Sequence, residues 1–445
     1  MIDLSKVTEL ESVKAIKNVL NGITLEDFQT VDILTALVRK RAIIAHDTGM
    51  GKTLIASAIM KMLHNENNSR KFLMIVKRSQ FDQTPDKIAK ATGLKVVAIS
   101  SEFSKISENI LDSSFLKNDI VILSAECLNS LAVMSRIYAH RKLFHGLIVD
   151  EAHEFSNIYE ADRSFRLQCM SYAFEYFIAL TATPITTELE QFSRLLYLVD
   201  KYNFYDIKDT TRSLERGEIN LEKMYPGLYI RRTRSDLGIA NTYNPTSILV
   251  EPTPEQVGKC GLNMFKHTKG PGAEPQVSKL IEVIERERPN KGIVYIRHHA
   301  VRRYVEDQLK QTDIRYATIN GLTPMSSRKT IMDNFAKNEY DVILISVTTS
   351  VDLNCDYIFF YEFTADVKQV IGRGERGLIP KTLNLYFLFT LQTAEIDYFN
   401  EKIFKRSVMI QEILGRDYEE LIDIGKQLGL EYKEEEDSSS KANYL

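Results

Sequence analysis

The feature of this sequence that most restricts its fold is a repeated alternation of short apolar, β-branched runs with amphipathic stretches. The first series of runs is 42–45, 73–76, 96–99, 120–123, 147–149 and 177–180, and the second is 293–296, 316–319, 342–345, 358–361 and 383–388. Apolar runs that alternate with helical segments are typical of parallel sheets covered by helices. The sequence therefore predicts an α/β chain with two lobes, each a mainly parallel sheet flanked by helices.

The two series also predict a division of the chain. We expect a first lobe over residues 1–245, a connecting segment over 246–275, a second lobe over 276–430 and an acidic, disordered tail over 431–445. The turn signals Asn244-Pro245 and Lys269-Gly270-Pro271-Gly272 favour an irregular connection. The tail has few apolar side chains to bury.

The composition and charge of the chain limit the kinds of protein that it can be. No apolar run approaches the ~18 residues of a membrane span and the N-terminus is polar, so neither a membrane span nor a signal peptide is expected. The four cysteines lie far apart, which favours a reduced, cytoplasmic setting. The net charge is −3, but residues 417–445 hold nine acids and three lysines, leaving 54 basic against 51 acidic side chains before them. Any basic surface that binds nucleic acid must therefore be local.

A glycine-containing loop after the first run predicts a phosphate site. The predicted nucleotide-binding residues are Asp47, Thr48, Gly49, Met50, Gly51, Lys52 and Thr53, followed by the amphipathic stretch TLIASAIMKMLH. The loop N–H groups and the helix N-terminus would face a triphosphate, Lys52 would reach the β and γ phosphates, and Thr53 would ligate magnesium. His46 stands where the general formula has its first glycine. The alternative is a flexible loop whose Gly-Lys-Thr arose by chance.

Two adjacent carboxylates follow the run at 147–149. Asp150 and Glu151 are expected at the carboxyl edge of the first sheet, where ligands of open α/β folds bind. Asp150 is suited to hold Mg²⁺, and Glu151 to polarise the attacking water. The alternative is that Asp150 caps the next helix.

The order of four segments resembles motifs I, II, III and VI of the superfamily 2 helicases. They are Lys52-Thr53, Asp150-Glu151-Ala152-His153, Thr181-Ala182-Thr183-Pro184 and the stretch 369–376, QVIGRGER. Within that superfamily, the Arg-Arg-Thr at 231–233 and the Thr-Pro-Glu-Gln at 253–256 resemble segments of the SNF2 group, and the compact size is similar to phage-encoded helicases of the T5 type, which branch-migrate DNA junctions. The likeness covers about residues 25 to 400. It implies two RecA-like lobes with a nucleotide cleft between them, and ATP and Mg²⁺ as ligands.

The resemblance also implies roles for single residues. Arg373 and Arg376, three apart on a helix, would face the same side and act across the cleft as arginine fingers; a salt-bridged surface is the alternative. Gln369 would contact the γ phosphate or the other lobe, and Gly372 would permit close packing. Gln29 would read the adenine edge, unless it is a plain surface glutamine.

Nucleic acid is expected across both lobes, on the face away from ATP. Hydroxyl and cationic side chains at strand ends suit phosphate binding, and the predicted contacts are Lys77, Arg78, Ser79, Ser124, Arg231, Arg232, Arg297, His298, Thr348 and Thr349. The residues predicted to couple nucleotide and nucleic acid are His153, Thr181, Thr183, Asp352 and Asn354. The last two belong to a motif V that lacks the family's glycines. A solvated charged surface is the alternative for each basic cluster.

These features predict an ATP hydrolase, a monomeric DNA helicase or translocase that remodels forked or branched DNA in replication or recombination. Its expected partners are forked, branched or duplex DNA and replication or recombination proteins, and its expected location is the cytoplasm, that of the host if the chain is phage-encoded. One alternative is a duplex-DNA translocase that displaces bound proteins, or an RNA-directed helicase. Another is an ATP-gated nucleic-acid binding protein with negligible turnover.

Overall fold

The two parallel sheets expected from the sequence are both present. The computed structural model describes residues 11–100, 108–156, 161–185, 188–239, 241–259, 264–346, 353–364, 367–375, 380–414 and 419–429. Every strand pairing in both sheets is parallel. Each of the eleven predicted runs coincides with a strand, although the runs 293–296 and 358–361 extend one residue past the strand end.

The first sheet has seven strands in the order β3-β4-β2-β5-β6-β1-β7. They are β1 (Arg41–His46), β2 (Lys71–Val76), β3 (Val96–Ile99), β4 (Ile120–Ser124), β5 (Phe144–Val149), β6 (Tyr176–Thr181) and β7 (Tyr229–Arg232). The second sheet has six strands in the order β10-β11-β9-β12-β13-β8. They are β8 (Thr242–Val250), β9 (Gly292–Tyr295), β10 (Tyr316–Ile319), β11 (Val342–Ile345), β12 (Tyr357–Phe360) and β13 (Thr382–Thr390).

Helices cover both sheets. Those up to β8 are α1 (Glu11–Lys17), α2 (Asp27–Arg39), α3 (Lys52–Glu66), α4 (Arg78–Phe81), α5 (Thr84–Thr92), α6 (Glu108–Lys117), α7 (Leu131–Ala139), α8 (Ala161–Ser171), α9 (Leu189–Val199), α10 (Ile207–Glu215) and α11 (Leu221–Met224). Those after β8 are α12 (Met264–Thr268), α13 (Glu274–Glu287), α14 (His299–Leu309), α15 (Met325–Ala336), α16 (Val367–Gly374), α17 (Glu395–Phe399), α18 (Lys405–Leu414) and α19 (Glu419–Gln427). Short 3₁₀ turns lie at Ala125–Asn129, Arg141–Leu143, Ala152–Ser156 and Ser235–Leu237, and a π turn lies at Asn400–Phe404.

The central strands are apolar because both of their faces are covered. Every residue of β4, β9, β11 and β12 is buried, which is why these strands appear in the sequence as unbroken apolar runs instead of alternating ones. In the described ranges, no helix is both long enough and apolar enough to cross a bilayer.

The boundary between the lobes differs from the predicted one. β8 pairs along its whole length with β13 and is an edge strand of the second sheet, so the second lobe begins at Thr242. The Asn244-Pro245 pair predicted a turn, but a proline, which lacks an N–H group, is tolerated in an edge strand. The segment expected to be irregular, 246–275, thus contains the end of β8 and all of α12. The predicted tail lies outside the described residues.

Candidate active site in the cleft between the lobes

The loop between β1 and α3 has the backbone that phosphate binding requires. Gly49 and Gly51 adopt φ values of 82° and 80°, in the region that favours glycine. α3 begins at Lys52, so its free N–H groups point at the loop. The Lys52 ammonium donates to the carbonyls of His46, at 2.8 Å, and Asp47, at 3.2 Å. Thr53 follows in the first turn of α3. The predicted loop is therefore built as a phosphate cradle.

Gln29 supports this loop from α2. Its side chain is 4% exposed, which excludes the surface alternative. Its Nε2 donates to the Met50 carbonyl at 3.1 Å, and its Oε1 accepts from the Glu26 N–H at 3.0 Å. A Cβ added at Gly51 would lie 2.4 Å from Gln29 Nε2, so a glycine is needed there. In this arrangement Gln29 holds the loop, and its reading of adenine stays a prediction.

The charges of the two predicted acids act on Lys52. Burial, and then the neighbouring charge of Glu151, raise the pKa of Asp150. Burial also acts to raise the pKa of Glu151, but the charges of His153 and Lys52, with a contribution from Arg373 of the second lobe, lower it. Burial lowers the pKa of the Lys52 ammonium, against the pull of both carboxylates. Asp150, Glu151 and Lys52 are thus close enough for their charges to influence one another.

His153 joins two of the predicted motifs. Its Nδ1 lies 2.9 Å from Thr181 Oγ1, at the end of β6, and 3.5 Å from Glu151 Oε2. Thr181 Oγ1 also accepts from the Thr183 N–H at 3.1 Å. Each of these side chains is buried or half-buried. Polar contacts therefore run from Glu151 through His153 to the loop after β6, and the coupling role of these residues stays a prediction.

Asp47 forms ion pairs with basic side chains from both lobes. Its Oδ1 lies 2.6 Å from Arg231 Nη2 and 3.1 Å from Lys368 Nζ of α16, and its Oδ2 accepts from the Arg234 N–H at 3.0 Å. Burial acts to raise the pKa of Asp47, but Lys368 and Arg231 hold it well below its usual value. The carboxylate is thus ionised and ties the loop to the second lobe.

The prediction that Arg231 and Arg232 bind nucleic acid is not supported. β7 pairs with β1 so that Arg231 lies opposite Ala45 and Arg232 opposite His46, next to the nucleotide loop. Arg232 forms a bidentate contact with the buried Asp32 of α2, its Nη2 at 2.8 Å. Because both guanidinium groups bind acids at the nucleotide side, they hold that site together.

α16 carries the predicted motif VI residues to the cleft. Gly372 is buried, and a Cβ there would lie 2.9 Å from Thr48 Oγ1 of the first lobe. Gln369 is half-buried on the same helix, and Arg373 contributes to the charge that Glu151 experiences. The helix ends at Gly374, and the predicted shared helical face of Arg373 and Arg376 stays a prediction. Arg376 itself lies outside the described residues.

The predicted nucleic-acid contacts are only partly at the surface. Arg78 and Arg297 are exposed beyond the carboxyl ends of β2 and β9. Lys77 pairs with Glu154, and His298 is held by the buried Glu362, with Nδ1 2.6 Å from Oε1. Ser124 directly precedes the turn that begins at Ala125 and has no exposed surface. In this structure its side chain therefore cannot contact nucleic acid.

The remaining predicted residues are only partly described by the structure. Thr348, Thr349 and Asp352 lie outside the described residues, as does the Ser79 side chain. Asn354 is exposed, and its Oδ1 accepts from Lys381 Nζ at 2.9 Å.

Sequence reasoning missed Lys368, Arg234 and Asp32. Lys368 stands beside Gln369, but no motif marks a cation one residue before motif VI. Arg234 belongs to a recognised basic segment, and only the fold brings its N–H to Asp47. Asp32 lies four residues after Phe28 on an amphipathic helix. It is only 1% exposed, and this burial could not be read from the sequence.

Two adjacent carboxylates beside a phosphate loop suit a magnesium ion. Asp150 is buried and Glu151 is half-buried, and oxygen ligands are those that Mg²⁺ prefers. Among the described residues, no three His, Cys, Asp or Glu side chains form a cluster able to hold a metal. Mg²⁺ in ATPase sites is usually bound by one or two protein carboxylates together with substrate phosphates.

The fold and this cleft define a two-lobe nucleotide-binding protein, and comparison with known proteins gives its family. Residues 8–186 match the family described as type III restriction enzyme, res subunit, and residues 275–377 match the helicase conserved C-terminal domain. The two matches together cover more than half of the chain. Both lobes therefore carry helicase domains of the superfamily 2 type, which indicate an ATP-dependent helicase and hence an ATP hydrolase.

Curated relatives are distant. The ATP-dependent RNA helicase RhlB of Pseudoalteromonas atlantica is 23% identical over 141 residues, which are 31% of this chain and 32% of RhlB. The ATP-dependent helicase fft1 of Schizosaccharomyces pombe is 29% identical over 129 residues, 27% of this chain and 14% of fft1. The match therefore spans a third or less of the length of these two relatives.

Solved structures share the fold. The helicase domain of Pyrococcus furiosus Hef aligns over 84% of this chain and 96% of that chain, with a TM-score of 0.54 and 14% identity. The Sulfolobus solfataricus SWI2/SNF2 ATPase core, solved in complex with dsDNA, aligns over 92% of this chain and 98% of that chain at 17% identity, with a lower TM-score of 0.42.

Proposed function

We propose that this chain hydrolyses ATP and uses the energy to translocate on and remodel forked or branched DNA. The observation that carries the proposal is the meeting of both lobes at one phosphate loop. Lys368 reaches Asp47 at 3.1 Å, and Gly372 lies against Thr48. Because these two contacts between the lobes involve the nucleotide loop, the state of the nucleotide can control the distance between the lobes.

The cleft supplies what phosphoryl transfer needs. Lys52 and Arg373 approach from opposite lobes and would stabilise the charge that develops on the γ phosphoryl group, and Gln369 would contact the same group. Glu151, held ionised by its neighbours, would orient the attacking water. Thr53 and Asp150 would hold Mg²⁺, which neutralises phosphate charge when it is bound.

DNA would cross the carboxyl ends of the strands of both lobes. Arg78 in the first lobe and Arg297 in the second are exposed at that edge and offer cations to phosphates. Backbone contacts of this kind predict binding that tolerates any sequence and weakens steeply with salt. Branch migration, a place in replication or recombination, the resemblance to phage helicases of the T5 type and a cytoplasmic location are parts of this proposal.

An RNA substrate is the second candidate. The relative that matches 31% of this chain is named as an RNA helicase, as are two further relatives at 20–22% identity. At such low identities, the names of these relatives do not identify the substrate of this chain. RNA is therefore included as one of the nucleic acids in the ATPase test.

The test is an ATPase titration with blunt duplex, single strand, fork, four-way junction and RNA of matched length. We expect the fork and junction to give the highest stimulation, and Lys52→Ala to abolish turnover with every ligand. Stimulation by RNA alone would replace the DNA proposal with the second candidate. Nucleic-acid binding that responds to ATP without turnover would identify a gated binding protein instead.

A further inference from the structure

A buried acid follows the arginine-bearing helix. Glu375 comes directly after α16 and is 7% exposed. Its Oε1 accepts from Asn241 Nδ2 at 2.6 Å and from the Tyr243 hydroxyl. Burying a carboxylate is costly unless its hydrogen bonds are well formed. These two donors therefore fix where Glu375, and the end of α16 before it, can lie.

Both donors belong to the segment where the chain enters the second lobe. β7 ends at Arg232 in the first sheet, and Asn241 immediately precedes β8 in the second. Asn241 Oδ1 also accepts from the Lys381 N–H at 3.0 Å. The Lys381 ammonium in turn donates to the Gly374 carbonyl, the last of α16, at 2.6 Å. The C-terminal end of α16 is thus held at two points. One is the segment 234–241 that joins the two lobes, which we call the crossover, and the other is Lys381, which directly precedes β13.

The opposite end of α16 is held by the first lobe. Lys368, in its first turn, pairs with Asp47, and Asp47 also accepts from the N–H of Arg234 at the start of the crossover. Arg373 lies one residue before the end of the helix. The crossover therefore contacts the nucleotide loop at one end and the arginine-bearing helix at the other.

From this arrangement we infer that Glu375 is a positioning residue for ATP hydrolysis, acting through α16 on Arg373, with Asn241 and Tyr243 as its anchors. The inference rests on the proposed ATPase activity. An arginine that meets charge mainly in the transition state contributes to kcat more than to ATP binding. A small displacement of α16 therefore lowers kcat and leaves the affinity for ATP nearly unchanged.

The test measures kcat, KM and equilibrium ATP binding for the full chain with a saturating DNA that stimulates the wild type. We expect Glu375→Ala to lower kcat by about 10-fold or more and Tyr243→Phe by about 3-fold, with ATP binding changed by less than about 2-fold. Glu375→Gln keeps the acceptor and recovers most of the lost rate. The double variant Glu375→Ala/Tyr243→Phe loses no more than Glu375→Ala, because both act through one contact.

A matched control is available in the same lobe. Tyr386 donates its hydroxyl to Glu287 away from the cleft, so Tyr386→Phe loses the same kind of bond without changing kcat. Thermal melts establish that each variant is folded. Three results would each overturn the inference. They are losses of kcat that multiply in the double variant, a loss of kcat in Tyr386→Phe equal to that in Tyr243→Phe, and a full kcat in Glu375→Ala. A wild type that never hydrolyses ATP overturns the proposed function instead.

Discussion

The buried carboxylate of Asp47 gives a prediction whose size follows from the structure. Asp47→Asn removes a charge that lies 2.6 Å from Arg231 Nη2 and 3.1 Å from Lys368 Nζ. At an effective dielectric constant of ~20, such contacts attract by about 6 and about 5 kcal/mol before any cost is counted. Desolvation of the charges offsets much of this, and removing one partner of a buried pair typically costs about 3–5 kcal/mol. Asparagine keeps an acceptor for the Arg234 N–H, so we expect a loss near 3 kcal/mol.

The pH dependence of this loss has a definite sign. The folded-state pKa of Asp47 is depressed below its unfolded value of about 3.9. The ionised carboxylate therefore stabilises the folded state at every pH above ~4, and that contribution is lost as the pH falls further. The difference between wild type and Asp47→Asn should be constant from pH 7 to pH 5 and shrink only below about pH 4.

Urea unfolding followed by circular dichroism measures this difference, since the chain has no tryptophan. Asp341→Asn is the matched control, because Asp341 lies between Arg315, at 2.6 Å, and Arg288, at 2.9 Å, in the second lobe. Both variants should lose stability, but only Asp47→Asn should weaken ATP binding. A loss under about 1 kcal/mol at pH 7, or a difference that falls between pH 7 and pH 5, would refute the reasoning.

Three other predictions test the site and the buried contacts of the fold around it. His153→Ala breaks the contact from Glu151 to Thr181, so the stimulation of ATPase by DNA should fall several-fold while basal turnover changes less, as steady-state rates with and without DNA will show. Asp150→Asn removes an acid whose pKa is raised by burial, so the nucleotide-free variant should gain thermal stability over wild type as the pH rises above ~4, opposite in sign to Asp47→Asn; melts in EDTA that showed no gain would contradict this. Glu395→Gln leaves Lys269 without its fully buried partner at 3.0 Å and should cost about 3–5 kcal/mol of unfolding free energy with little effect on ATP binding.

The cleft gives the lobes two different kinds of link. The ion pair between Lys368 and Asp47 spans the lobes directly, while the crossover from Arg234 to Asn241 connects the same loop with Glu375. The ion pair can break when the lobes separate, but the covalent crossover cannot. Opening of the cleft is therefore expected to turn about the crossover, where Gly238 has a φ of 68°.

What the sequence by itself determined was the local structure. Eleven apolar runs predicted eleven strands, because a strand covered on both faces is apolar along its length. The loop of Gly49 to Thr53 and the Asp150-Glu151 pair were predicted as well, because each lies at a strand end and depends on residues next to it in the chain. The order of the motifs then indicated two lobes that share one nucleotide.

What only the tertiary structure decided was which distant residues share a contact. The sequence did not predict the partly exposed edge strands β7 and β8, and the arginines of β7 were assigned to nucleic acid although they bind Asp47 and Asp32. The sequence analysis gave Lys368 and Glu375 no role, and only the packing of the lobes brings them to Asp47 and Asn241. A charge in a sequence does not reveal its partner, because the partner is selected by packing between elements more than 100 residues apart.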